Sequence, residues 1–179
     1  MAKSALSFII VGALALGLTG CSEPNFDPEG PPSPAASAPL NAEQQEAQEA
    51  VEEFFAAYDE AVQDPDLSLE KLAATTDGAM KEKVTRLVED MRSAGVYQSG
   101  APEYELVAYR DTFEEKGEQR LGFEICTDSS GVQPMDIDTR EFAPGGAAPV
   151  EFQVWRLLVA ERDGWKVIDG TNQPATSCS

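Results

Sequence analysis

The sequence contains no histidine, and this absence excludes most chemistry that depends on an imidazole. Catalytic triads built on His, the HExxH zinc site and His-based acid–base schemes all need that side chain. The chain also lacks the G-x-S-x-G, Walker A and G-x-G-x-x-G patterns of hydrolases and nucleotide-binding proteins. Any catalysis would therefore have to use carboxylates, Tyr or Lys.

Basic residues are scarce as well. The chain has 13 Lys and Arg against 32 Asp and Glu, a formal charge of -19, and no basic residue lies between Lys3 and Lys71. Such a chain repels nucleic acid phosphates and anionic lipid headgroups, so neither is an expected partner. Two interpretations of the acidity remain open: a strongly solvated surface, or a site for a basic partner or a cationic ligand.

No apolar run is long enough for a permanent membrane helix. The run Ala5–Leu18 is shorter than the roughly 20 residues that span a bilayer, and it follows Lys3, as in an export signal. The next residues, Leu18-Thr19-Gly20-Cys21, resemble the bacterial lipobox, whose Cys receives a diacylglyceryl group and becomes the first residue. We therefore expect a signal peptide at 1–20 and a lipid anchor at Cys21, on the outer face of the cell membrane. An ordinary secretory signal with an incidental Cys is the alternative.

The segment after this cysteine has little that could form a core. Residues 22–40 contain six prolines and few large apolar side chains. Such a composition cannot bury enough surface to offset its chain entropy, and its prolines keep it extended. We expect 21–41 to be the lipidated Cys and a disordered tether, followed by one domain over 42–179.

The remaining cysteines form a pair. With Cys21 committed to lipid, Cys126 and Cys178 are left in an oxidising compartment, which predicts a disulfide between them. Two free thiols are the alternative, but a single pair without His has too few ligands for zinc. We expected this bridge to hold a C-terminal tail, 171–179, that has little else to fix it.

Three amphipathic segments open the domain. Apolar residues recur at the i, i+3, i+4, i+7 spacing and predict helices over Ala42–Gln63, Leu69–Thr75 and Gly78–Ser93. The expected caps are Asn41, Ser68 and Gly95.

Alternating apolar and polar residues follow and predict four antiparallel strands. They cover Tyr104–Phe113, Gln119–Thr127, Pro149–Arg162 and Trp165–Ile168. The last two are joined by the tight-turn pair Asp163-Gly164. The connection Asp128–Ala148 is long, and long loops are often functional, so we expected a partner site there. Its acids lack the spacing of an EF-hand calcium loop, and we expected no metal.

Helices grouped before a meander predict an α+β domain, with the helices packed on a curved antiparallel sheet of about four strands. The helix sequence AVEEFFAAYDEA (50–61) and the closing hairpin VWRLLVAERDGWKVIDG (154–170) resemble NTF2-like domains, also called cystatin-like α+β barrels. The chain is also similar to small actinobacterial lipoproteins of unassigned function. The resemblance implies a conical apolar pocket between the first helix and the sheet. Its expected lining residues are Phe54, Tyr58, Tyr104, Phe123 and Trp155.

The expected function is a non-enzymatic, membrane-anchored domain that binds a small apolar ligand or a protein partner of the cell envelope, without a cofactor. The enzymes that it resembles use an Asp and a Tyr in the cone, and no Asp here matches that motif. Two alternatives stay open. One is an isomerase or lyase that uses a carboxylate and Tyr. The other is an acidic immunity or assembly factor that meets a basic partner.

Overall fold

The computed structural model describes residues 39–115, 117–143 and 150–178. The expected signal peptide at 1–20, the anchor Cys21 and the tether as far as residue 38 lie outside the described residues and stay predictions, as do residues 144–149 of the long connection. Within the described part of the chain, no helix is both long and apolar enough to span a membrane.

Three helices come first, as the periodicity predicts: α1 (Ala42–Gln63), α2 (Glu70–Thr75) and α3 (Gly78–Ser93). Asn41 caps α1 in a capping box, because its side chain accepts from the backbone N–H of Gln44 while the Gln44 side chain accepts from the Asn41 N–H. Gly95 follows α3 at a φ of +72°, the left-handed conformation that lets a chain leave a helix.

The cap that we expected for α2 is wrong. The N-cap residue is Leu69, and no side chain caps that helix. Ser68 lies one residue earlier, where its hydroxyl accepts from the N–H of Glu70 at 3.3 Å. A helix of only six residues is held by its neighbours more than by its ends, since the buried Leu72 places it against the core.

In the described residues after α3 there are six strands, all paired antiparallel. The main sheet has the order β2-β3-β5-β6, and β1 and β4 form a separate two-stranded sheet. Their bounds are β1 (Val96–Ser99), β2 (Glu103–Glu115), β3 (Glu118–Asp128), β4 (Gln133–Asp136), β5 (Phe152–Glu161) and β6 (Trp165–Pro174). The predicted α+β class, with helices packed on a four-stranded antiparallel sheet, is confirmed.

Two details of the strand prediction are wrong. The small β1–β4 sheet was not predicted, and β4 lies inside the connection that we expected to be a loop. The last strand does not stop at Ile168 but continues to Pro174, which pairs with Gln153 of β5. The tail therefore has a backbone ladder to hold it as well as a disulfide.

The core lies on one face of the main sheet. Leu121, Phe123 and Ile125 of β3 are buried on that face, and their partners on β5 are Val159, Leu157 and Trp155. Helix α1 contacts β3, β5 and β6, and α3 contacts β6. Alternate residues of a strand point to opposite faces, so the helices cover one face and leave Glu124 and Cys126 on the other.

The predicted disulfide is present on that second face. Cys126 and Cys178 are bridged, 52 residues apart in sequence, with their Cα atoms 5.5 Å apart. The N–H of Ala175 also donates to the carbonyl of Phe152, so the segment after β6 stays beside β5.

Candidate functional site

A groove of about 370 Å³ lies between α1 and β2, partly open to solvent. One wall is α1, and the other comes from β2, the residue before it and β3. The residues that line it are Gln48, Val51, Glu52, Phe55, Ala56, Asp59, Pro102, Tyr104, Leu106 and Ile125. Most of these side chains are apolar, and Leu106 keeps 37% of its surface exposed.

The groove exists because α1 lies over only part of the sheet. Within the described chain, the backbone of α1 approaches β3, β5 and β6 but not the edge strand β2. The gap is bridged at one point, where the rings of Phe55 and Tyr104 meet with centroids 4.3 Å apart. Apolar side chains of β2 are therefore left in a concavity that neither α1 nor another described element fills.

A hydrogen bond between a tyrosine and an aspartate lies in the polar part of the groove. The Tyr104 hydroxyl donates to Oδ1 of Asp59 over 2.5 Å. Burial of the carboxyl raises the pKa of Asp59 to about 6, although the hydrogen bond from Tyr104 opposes this shift. Burial, and then the bond to Asp59, hold the pKa of Tyr104 well above the usual range of a phenol.

Aromatic rings surround this pair on the core side. Trp155 meets Phe55 and Tyr58 in edge-on arrangements, with centroids 5.9 and 6.4 Å apart, and Tyr58 stacks on Phe54. Burial, and to a smaller extent the charge of Asp59, raise the pKa of Tyr58 to about 12. The hydroxyls of Tyr58 and Tyr104 thus stay protonated at any physiological pH.

The five pocket residues expected from the sequence do not come together in one cavity. Tyr104 lines the groove, whereas Phe54 and Phe123 are fully buried beneath it, at 0% and 1% exposure. Tyr58 is partly buried against the core. Trp155 borders a different depression, between α3 and the sheet.

Sequence reasoning missed Asp59 and the α1 wall beside it. Glu52, Phe55, Ala56 and Asp59 follow the i, i+3, i+4, i+7 spacing that defines one stripe of a helix. This stripe lies beside the core stripe, and it mixes acids with apolar residues. This mixture of acids and apolar residues could have indicated the groove from the sequence. A fully buried helix face would carry apolar residues alone, and a fully solvated face would carry mostly polar ones.

The depression near Trp155 is a weaker candidate. It holds about 570 Å³ between α3 and the ends of β5 and β6, and charged side chains of both signs line it, among them Glu82, Lys83, Arg86 and Asp90. The ammonium of Lys83 already has a partner within the protein, because it donates to the carbonyl of Gly170 at 2.5 Å. Mixed charge on a shallow surface does not define a ligand.

The described residues contain no cluster of three or more metal-binding side chains. The acids of the long connection close turns instead. Asp136 accepts from the backbone of Asp138 and Thr139, and Asp128 accepts from the backbone of Ser130. Hydrogen bonds from the side chain and backbone of Ser130 hold the pKa of Asp128 below its usual range, and those from the backbone and side chain of Thr139 lower the pKa of Asp136.

No family model and no curated protein matches the chain. Solved structures with a similar arrangement include the intermembrane space region of chloroplast protein ARC6, at 17% identity and a TM-score of 0.49. A ketosteroid isomerase-like protein from Erwinia carotovora atroseptica SCRI1043 is similar at 12% identity and a TM-score of 0.47. Each alignment covers 77% of this chain and 100% of the other. The likeness is one of arrangement alone.

Proposed function

We propose that the protein is an extracytoplasmic lipoprotein, held to the membrane by a diacylglyceryl group on Cys21, whose domain binds a small and mainly apolar ligand in the α1–β2 groove. The groove is the observation that carries this proposal. Its volume falls within the roughly 300–1,000 Å³ typical of ligand pockets, and its apolar walls carry a few polar groups, the composition that such pockets share.

Release of water from the groove would favour binding of an apolar ligand. A concave apolar surface next to solvent is poorly hydrated, and each Å² that a ligand covers contributes roughly 25 cal/mol to binding. The walls belong to α1 and to a sheet strand, both fixed by the packed core beneath them. A ligand would therefore meet a largely preformed site and lose little affinity to reordering of the protein.

Blocking the groove tests the binding function. Ala56 is exposed and lines the groove, so Ala56→Trp places an indole where the ligand would lie. The neutral dye Nile red should brighten with the unaltered protein and bind at least about tenfold more weakly to this variant, since about 1.4 kcal/mol of contact is lost. Ala42→Trp, exposed on the same helix but away from the groove, is the matched control. Equal dye binding by both variants would overturn the proposal.

The anchor needs a separate test. Cells that produce the protein are fed an alkyne-tagged palmitate, and the purified chain is assayed for the label. We expect labelled chain in the membrane fraction, and loss of both label and membrane association with Cys21→Ser, because stable anchoring needs two acyl chains or an equivalent pair of signals. Label retained by Cys21→Ser would overturn the anchor without touching the groove.

A proton-transfer enzyme is the second candidate, favoured by the Asp59–Tyr104 pair. An Asp with a pKa near 6 inside an apolar groove is a suitable general base at neutral pH. The binding function ranks first because the Tyr104 proton already points to Asp59 and not to a substrate oxygen. Deuterium uptake at the α-carbon of simple cyclic ketones, followed by NMR, tests the enzyme. Uptake that requires Asp59 would reverse the ranking.

A further inference from the structure

We propose that the ligand of the groove is a lipophilic cation, an amine or quaternary ammonium group on an apolar body, with its charge beside Asp59 and Glu52. This inference rests on the proposed binding function and adds the chemical class of the ligand. Its basis is the sign of the charges in the groove, the position of Arg110 and Arg156, and the free acceptor positions of the acids.

All charge in the groove is negative. Glu52 and Asp59 are the ionisable carboxylates of its wall, and among the described residues that line it there is no Lys or Arg. Gln48 does not neutralise them, because its amide is neutral and donates to Oε1 of Glu52 at 2.7 Å. A fatty acid or another anionic amphiphile would thus place its head next to like charge without a counter-ion.

Arg110 of β2 and Arg156 of β5 face the other side of the sheet. Both pair with the carboxylate of Glu124, at 2.6 and 3.4 Å. Glu124 precedes Ile125, which points into the groove, so the two side chains leave β3 on opposite faces. The sheet therefore separates these cations from the groove.

The acidic end of the groove leaves acceptor positions for a positive group. A carboxylate has about four lone-pair positions, and the Tyr104 hydroxyl uses one of those on Asp59. The rings of Phe55 and Tyr104 pack on each other, with centroids 4.3 Å apart, and Tyr104 contacts Asp59 through its hydroxyl. A positive head would thus meet carboxylate oxygens, while Val51 and Leu106 cover its apolar body.

The test compares three probes with the same alkyl chain and different heads: dodecyltrimethylammonium, dodecanol and dodecanoate. The two ionic probes are used below their micelle concentrations and dodecanol below its solubility limit. Binding to the full chain carrying Cys21→Ser, with its disulfide closed, is measured by calorimetry at low salt. We expect the cation to bind about tenfold more tightly than the alcohol, the size expected from two partly exposed ion pairs, and the carboxylate to bind most weakly.

Charge-neutralising variants locate the effect. Glu52→Gln and Asp59→Asn should each remove part of the preference for dodecyltrimethylammonium over dodecanol, and the double variant should remove it, with dodecanol measured on every variant as the reference. Glu53→Gln removes the same charge from the exposed face of α1 outside the groove and is the control for general attraction to an acidic chain. Glu52 is itself exposed, so its variant stays informative even where Asp59→Asn folds poorly.

The outcomes separate this inference from the proposed function. The cationic ligand is overturned if dodecanol binds as tightly as the cation. It is also overturned if Glu53→Gln weakens cation binding as much as Glu52→Gln does. Both results leave the apolar groove in place. Binding of the three probes that Ala56→Trp does not weaken overturns the groove as a ligand site, and the cation with it.

Discussion

Two features of the surroundings of Asp59 act on its charged form in opposite directions. The carboxyl is partly buried next to aromatic rings, which disfavour its charge, and its one side-chain hydrogen bond comes from a phenol that favours the charge. The first influence is the larger, so the carboxyl holds its proton up to a pH of about 6. A side chain that disfavours its own ionised form near neutral pH is more readily explained by binding than by stability.

Asp59→Asn should therefore stabilise the protein at neutral pH and not in acid. The pKa of Asp59 is about 6 in the folded state against the ordinary 3.8, so the folded protein binds the extra proton and the free energy of unfolding falls as pH rises through this window. Urea unfolding should show equal stability near pH 4 and a gain of about 1 kcal/mol for Asn near pH 8, a figure reduced for partial exposure.

The groups that face Asp59 do not titrate in this pH range, so they do not contribute to the difference in stability between Asp59→Asn and the unaltered protein. Tyr104 on β2 and Tyr58 on α1 stay protonated throughout, and Ile125 on β3 does not titrate. Glu52→Gln serves as the reference for a nearby acid in the same groove wall. A variant Asp59→Asn that is less stable than the unaltered protein near pH 8 would show that the bond to Tyr104 outweighs desolvation.

Gly170 is a second residue whose role is local. A Cβ there would lie 2.7 Å from Cδ2 of Leu157 and 3.3 Å from the carbonyl of Arg156, under Met80 of α3. We expect Gly170→Ala to lower the free energy of unfolding by about 1–3 kcal/mol, because the core cannot admit a methyl group without displacement. Gly131→Ala, with nothing within 4 Å, is the matched control and should change stability little.

Helices and strands could be predicted where the interactions that form them lie close together in the sequence. Helices α1 and α3 have a stripe of apolar residues and local caps, so sequence periodicity located both. The hairpin β5–β6 has its turn in Asp163-Gly164, both at positive φ. These signals lie within a few residues of the structure that they specify, and for that reason the α+β arrangement could be predicted.

Structure that depends on distant partners could not be predicted. The strand β1 has four residues and pairs with Gln133–Asp136, and nothing in its short sequence announces that partner. The end of β6 is polar, and its ladder with Gln153 and Val154 arises from register alone. The groove has the same origin: Asp59 and Tyr104 are 45 residues apart, so their hydrogen bond has no local sequence signal.

The disulfide joins β3 to the segment after β6, and both β3 and β6 pair with β5. We expect Cys178→Ser to lower the free energy of unfolding by about 2–4 kcal/mol, mainly because the unfolded chain regains the freedom of a long loop. Since β6 keeps its ladder with β5, the variant should still fold. Urea unfolding with and without dithiothreitol supplies the control: the reductant should bring the unaltered protein to the level of the variant and leave the variant unchanged. An equal response of both would contradict the bridge.

At the scale of the whole molecule, the dominant property is its charge of -19. Several ion pairs oppose the repulsion locally, such as Arg162 with Asp77 and Glu118, but acids outnumber bases by far. These carboxylates repel one another across the surface, and this repulsion is stronger in the compact state than in the extended one.

Salt should therefore stabilise the protein. Raising NaCl from about 0.01 M to about 0.3 M shortens the screening length from roughly 30 Å to below 10 Å, so repulsion between separate acids fades. We expect the melting temperature to rise by a few degrees in calorimetric scans. Sodium chloride is preferable to sulfate, which stabilises proteins by exclusion from the surface whatever their charge. A falling melting temperature would mean that the ion pairs dominate.

The open side of the groove affects how long a ligand would stay bound. A ligand between α1 and β2 can leave without any helix or strand moving, because the groove meets solvent directly. Association at about 10⁷ M⁻¹s⁻¹ with a micromolar dissociation constant then gives a residence of roughly a tenth of a second. A domain that bound a ligand as proposed would release it quickly and would suit transfer to a neighbour better than storage.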